Sequence, residues 1–89
     1  MKTIWKYQLE IIDSQMIPMP YGAEMLSVQL QNGYPCLWVL VETKNRKVPI
    51  WIHTYEIGHE IQDHINLEYI STYQIIEKGL VFHVFERVI

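Results

Sequence analysis

Hydrophobic and polar residues alternate along most of this chain, the period-2 pattern of strands with one buried face. From Thr3 to Ile12, Trp5, Tyr7, Leu9 and Ile11 fall on one side and Lys6, Gln8 and Glu10 on the other. Asp13-Ser14 offers a turn. Gln15 to Ala23 carries Pro18, Pro20 and Gly22 and predicts at best a short edge strand leading into a loop. Met25 to Gln31 alternates again, with Leu26, Val28 and Leu30 on one face. Asn32-Gly33 follows, a pair suited to the positive φ angles of a type I′ hairpin turn. Tyr34 to Thr43 is the returning strand. It is apolar on both faces from Cys36 to Val41, which places it centrally in a sheet.

Beyond the polar turn Lys44-Asn45-Arg46-Lys47, Val48 to Glu56 reads as a further strand. Ile57 to Asn66 breaks the alternation at Gly58 and reads as an irregular loop or a single helical turn. Leu67 to Ile76 and Leu80 to Val88 form a last hairpin around Glu77-Lys78-Gly79. Val81, His83 and Phe85 share one face of its final strand, and Leu80, Phe82 and Val84 the other. That strand is therefore either central or part of an interface. Its apolar end, Arg87-Val88-Ile89, would be a pairing hazard at an open edge, so a homo-oligomer is expected. The pattern predicts one all-β domain over residues 1–89. Sequential strands joined by short turns suggest a small antiparallel meander of six to seven strands, closed as a barrel or a two-sheet sandwich.

Composition narrows the function classes. Seven Lys/Arg against ten Asp/Glu give a net charge of −3, and the basic residues are dispersed, so duplex nucleic acid is not the expected partner. No segment reaches the ~20 apolar residues of a membrane-spanning helix, and charges interrupt the opening residues before a signal-peptide core can form. A cytoplasmic location is expected. Cys36 is the one cysteine and lies in an apolar run, which fits a buried, inert thiol.

Candidate chemistry is sparse. His53, His59, His64 and Asp63 cluster in and beside the irregular loop, but their spacing matches no compact zinc motif. Ser14, Ser27 and Ser71 lack a nucleophile-elbow context, and the four glycines form no phosphate-binding loop. No cofactor is implied. His83, between Phe82 and Val84, fits a hydrogen-bonded core or interface histidine. The aromatics are the one excess, with three Trp, six Tyr and two Phe. Most belong in the core, but Tyr21, Tyr34 and Tyr55 adjoin predicted turns and could serve a stacking pocket or an interface. The candidate ligand-binding set is Tyr55, Gly58, His59, Arg46 and Trp51, with Arg46 and Lys47 as phosphate contacts.

Four blocks carry a resemblance: MKTIWKYQLEI, MPYGAEMLSVQLQNGYPCLWVLVE, IGHEI and LEYISTYQIIEKGLVFHVFE. Together they run from Met1 to Glu86 and resemble a family of small phage and prophage proteins known as a domain of unknown function. Members often carry a Gly-Thr-Gly-His-like stretch, of which only Gly58-His59 matches here. The resemblance implies a phage setting and carries no catalytic residue, substrate or cofactor. The expectation is a non-enzymatic binding protein that counters a host process, by sequestering a small nucleotide signal or by blocking a host protein. The alternatives are a small hydrolase using His59 or His53, and a virion assembly module.

Overall fold

The computed structural model describes residues 1–88, so Ile89, the last residue of the expected apolar C-terminal edge, lies outside the described residues. Seven strands form two antiparallel sheets: β1 (Lys2–Gln8), β2 (Ser14–Pro20), β3 (Glu24–Gln31), β4 (Tyr34–Glu42), β5 (Lys47–Glu56), β6 (Asn66–Ile75) and β7 (Leu80–Val88). Their orders are β1-β4-β3 and β2-β5-β7-β6. The arrangement is a small β-sandwich, which decides between the two expected closures.

The inner faces follow the alternation. Leu37, Val39 and Val41 of β4 meet Ile52 of β5 and Phe82 and Val84 of β7 in one core, with Leu9, Met19, Val28 and Tyr73 completing it. Tyr73 and Phe82 stack with ring centroids 5.2 Å apart. Cys36 is buried and free, as its apolar setting implies. Charged side chains reach the inner side at the strand ends: Glu56 opposite Phe82 and, with the exposed Glu68 beside it in register, Glu86 opposite Ile52. Burial, reinforced by the Glu68 carboxylate, raises the Glu86 pKa.

The strand order is not a meander. Only β3–β4 and β6–β7 are hairpins of consecutive strands, and these are the two places where a tight turn is encoded. Asn32 (φ 52°) and Gly33 (φ 84°) take the left-handed backbone that a type I′ turn requires. The chain changes sheets between β1 and β2, β2 and β3, and β4 and β5, while the β5–β6 connection passes over to the far side of β7 within one sheet. Between β1 and β2 the change comes at residues 9–13, where the Gln15 amide clasps the backbone N–H and carbonyl of Glu10 (3.1 and 2.9 Å).

Segment 15–23, expected as at best a short edge strand leading into a loop, contributes residues 15–20 to the seven-residue edge strand β2 and residues 21–23 to the connection that follows. Pro18 stands opposite Pro49, and neither has an N–H to offer, so the pair fits only where the ladder needs no donor. The strand over residues 80–88 is central, between β5 and β6. Both of its sides are paired within one chain, so the edge that motivated an oligomer is covered over residues 80–88. Leu26 also departs from the expected face. A bulge between Met25 and Ser27 turns it out of the core, 44% exposed, while Met25 and Val28 both pack inward. A second bulge lies between Tyr69 and Ser71 in β6. Near the bulges the sheets meet, and the Ser71 hydroxyl donates to the Val28 carbonyl at 3.0 Å.

Candidate functional site

Because Ile50, Ile52 and Thr54 of β5 point inward, Trp51, His53 and Tyr55 must point outward. On β7 the same parity sends His83, Phe85 and Arg87 out, and the register sets them beside β5: His53 opposite Phe85, Tyr55 opposite His83, Trp51 opposite Arg87. Tyr69 of β6 lies opposite Phe85 from the other side. One sheet face therefore carries a connected aromatic surface. Tyr55 and Tyr69 each meet Phe85 edge to face (5.8 and 5.6 Å), and His53 stacks on Tyr55 (6.2 Å). The Tyr69 hydroxyl lies 2.6 Å from Thr72 Oγ1, which lies 3.0 Å from His83 Nδ1, so His83 is the hydrogen-bonded surface histidine of a fixed chain. Trp51 is 42% exposed and Tyr69 61%.

The irregular loop after β5 closes one end of this face. Gly58 (φ 86°) makes the turn, and the His59 N–H donates to the Glu56 carbonyl at 3.2 Å. Here a cleft of about 230 Å³ is lined by Asp13 and Ser14 from the start of β2, His53 and Tyr55 from β5, and His59, Glu60, Gln62 and Ile65 from the loop. A second cavity of about 230 Å³ lies at the same end and shares Asp13 and His59, with Ile11, Ile12, Leu80 and Phe82 giving it apolar walls. The Thr54 N–H donates to the Asp13 carbonyl (2.9 Å), which ties the start of β2 to β5 under both.

Burial, reinforced by the Arg87 charge, pushes the His53 imidazole below its usual range, so the ring is neutral at neutral pH. Its Nε2 is buried without a hydrogen-bond partner. Burial also raises the Tyr55 hydroxyl.

Of the expected set, Tyr55 and His59 line the cleft, Gly58 makes the turn that precedes His59, and Trp51 lies on the same face two residues before His53. Arg46 does not join them. It precedes β5 and lies nine residue steps along the strand from Tyr55, roughly 30 Å. Its guanidinium sits over the Tyr21 ring at 5.9 Å, while Asn45 Nδ2 donates to the Tyr21 carbonyl (2.8 Å). Arg46 thus fastens the β2–β3 connection to the β4–β5 turn. Tyr34 stands at the Asn32-Gly33 hairpin, away from this face.

The register adds what spacing alone conceals: Ser14 lies directly opposite His53, beside Asp13. These are the residue types of a nucleophile, a base and a carboxylate. They do not form a relay, because no side-chain hydrogen bond joins them among the described residues and His53 Nε2 stays unpartnered. Among the described residues, no group of three or more His, Cys, Asp or Glu side chains is arranged to hold a metal ion. No helix among them is long and apolar enough to cross a membrane.

A family model described as a domain of unknown function (DUF7352) matches residues 1–89. No curated protein and no solved structure matches the chain. The chain belongs to the DUF7352 family.

Proposed function

For this member of the family, we propose a phage- or prophage-encoded accessory protein that works in the host cytoplasm by binding a host protein, not by catalysis. The observation that carries this reading is the aromatic outer face of β5, β7 and β6, with Trp51 and Tyr69 well exposed. Trp and Tyr anchor protein interfaces because they bury large areas at low conformational cost. The phage setting rests on the four sequence blocks that resemble small phage and prophage proteins.

Sequestration of a nucleotide is the weaker version. The cleft, at about 230 Å³, is smaller than the ~300–1,000 Å³ typical of small-molecule sites. Its charged walls are Asp13 and Glu60, which repel phosphate, and Arg46 is too distant to compensate.

Affinity capture from host extract tests the proposal, with tagged wild type beside the double variant Trp51→Ala/Tyr69→Ala and with bound proteins identified by mass spectrometry. One host protein retained by the wild type and lost by the folded double variant is the expected result. Equal retention by both would remove the aromatic face from the account.

A further inference from the structure

Each sheet has two edge strands, β1 and β3 on one and β2 and β6 on the other, and three of the four are protected. On β2, the Thr54 N–H donates to the Asp13 carbonyl and the Tyr21 N–H to the Arg46 carbonyl, which flank the ladder in its own register. Odd-numbered residues of β2 therefore face β5, and Ser14, Met16, Pro18 and Pro20 face the open side, where the prolines have no N–H to offer. β3 and β6 each carry a bulge and lie against one another. β1 has neither device. Its seven residues pair with β4 without a register shift. The Leu9 N–H donates to the Pro35 carbonyl and the Thr43 N–H to the Met1 carbonyl, so here too the odd-numbered residues face the neighbouring strand. Lys2, Ile4, Lys6 and Gln8 turn their N–H and C=O groups outward, where no further strand of the described residues lies beside β1. Such a row is a template for another strand.

We propose that this edge pairs with the same edge of a second copy of the chain, β1 against β1 and antiparallel about a two-fold axis, so that two three-stranded sheets become one continuous sheet. The lysines select the register. Centred on Trp5, the pairing uses the whole strand and sets Lys6 opposite Ile4 of the second copy and Lys2 opposite Gln8. Sliding the copies by two residues one way opposes Lys2 to Lys6, and the other way opposes Lys6 to Lys6, a like-charge contact in either case. A slip of one residue sets outward-facing backbone groups against inward-facing ones. The centred register alone gives a full ladder with no lysine facing a lysine, and it brings Ile4, 56% exposed, to the middle of the junction. With a single open edge in each chain, association stops at two. The neighbour of Ile4 is then a second copy and not a host protein, and the sheet that carries Trp51 and Tyr69 stays free.

Sedimentation velocity over a micromolar concentration series tests the pairing, with wild type beside Ile4→Pro, Ile4→Lys and Ile4→Glu and with thermal unfolding to confirm that each variant folds. A concentration-dependent dimer is expected for wild type. Ile4→Pro removes an N–H that β4 does not use and should leave only monomer. Ile4→Lys keeps that N–H but sets a lysine against Lys6 at two symmetric places, and should weaken the dimer by roughly tenfold. Ile4→Glu sets a carboxylate against Lys6 instead and should dimerise at least as well as wild type. If Ile4→Pro does not fold, the contrast between lysine and glutamate decides. Monomer alone for wild type up to hundreds of micromolar would overturn the inference. So would assemblies larger than two, a dimer that Ile4→Lys leaves undiminished, or one that Ile4→Glu weakens as much as Ile4→Lys does. Capture of a host protein through Trp51 and Tyr69 depends on none of these outcomes, so the edge and the aromatic face are judged separately.

Discussion

Each sheet of the sandwich turns a tryptophan outward near its middle, Trp38 on β1-β4-β3 and Trp51 on β2-β5-β7-β6, and the two are finished in opposite ways. Trp38 is half-buried. Lys6 stands directly opposite it in register and reaches across β4 to Gln31 Oε1 at 2.7 Å, so a lysine stem spans the strand that carries the ring. Around it, Gln8, Gln29 and Ser27 give the face a polar surround. Trp51 is 42% exposed, with Met16, 46% exposed, and Arg87 opposite it in register, and on the same face an aromatic network runs from His53 through Tyr55 and Phe85 to Tyr69. The first face pairs its tryptophan with polar stems while leaving the aliphatic Ile4 and Leu26 exposed; the second exposes aromatic surface held by ring contacts. Intramolecular contacts leave more of the second tryptophan exposed than of the first, and the proposed partner would cover it.

The core beneath both faces sets the scale of expected effects. Leu37 is fully buried between the sheets, so Leu37→Ala should cost about 2–5 kcal/mol in urea unfolding, a large share of a small domain's stability. The two tryptophans should then separate. Trp38→Ala is expected to cost about 2 kcal/mol and leave partner capture intact. Trp51→Ala should cost under about 1 kcal/mol and abolish capture. If both variants lose stability alike and capture alike, the contrast between the faces fails.

Two titrating groups sharpen it further. The folded pKa of Glu86 is raised, so at neutral pH the fold carries a carboxylate it would rather have protonated. Stability attributable to this group falls as pH rises from the unfolded value of about 4.5 through the raised folded value. Glu86→Gln should therefore raise Tm at pH 7 by a few degrees, with less gain near pH 4, measured by thermal unfolding. His53 acts in the opposite sense. Its folded pKa is lowered, so the unfolded chain takes up the proton first, and stability falls as pH drops below about 6.5. His53→Phe should flatten that part of the profile. The smallest effect belongs to the covered face: Lys6→Ala, which removes an exposed hydrogen bond, should change stability by less than about 1 kcal/mol.

Much of this architecture was legible in the residue pattern, because a strand's period of two is local. The Asn32-Gly33 turn, the central position of Cys36 to Val41 and the irregular loop after Glu56 all follow from neighbours in sequence. The pairing of β1 with β4 and of β2 with β5 is not local, and no turn encodes it. The bulge that turns Leu26 outward is equally hidden, since it arises where two sheet edges meet. The site divides the same way. Tyr55 and His59 are close in sequence, joined through the Gly58 turn, and meet at the cleft. Ser14 and His53 are brought face to face only by the β2–β5 register, and Arg46, chosen for its charge, is claimed by Tyr21 at the far end of β5.

The most direct measurement of the claim that the two faces differ in purpose is site-specific photocrosslinking in host cells, with a benzophenone side chain replacing Trp51 in one variant and Ile4 in another. Ile4 is exposed and lies on the outer face of β1. The account predicts a discrete adduct with one host protein from position 51 and none from position 4. Equal adducts from both positions, or only chain-to-chain adducts from position 51, would contradict it.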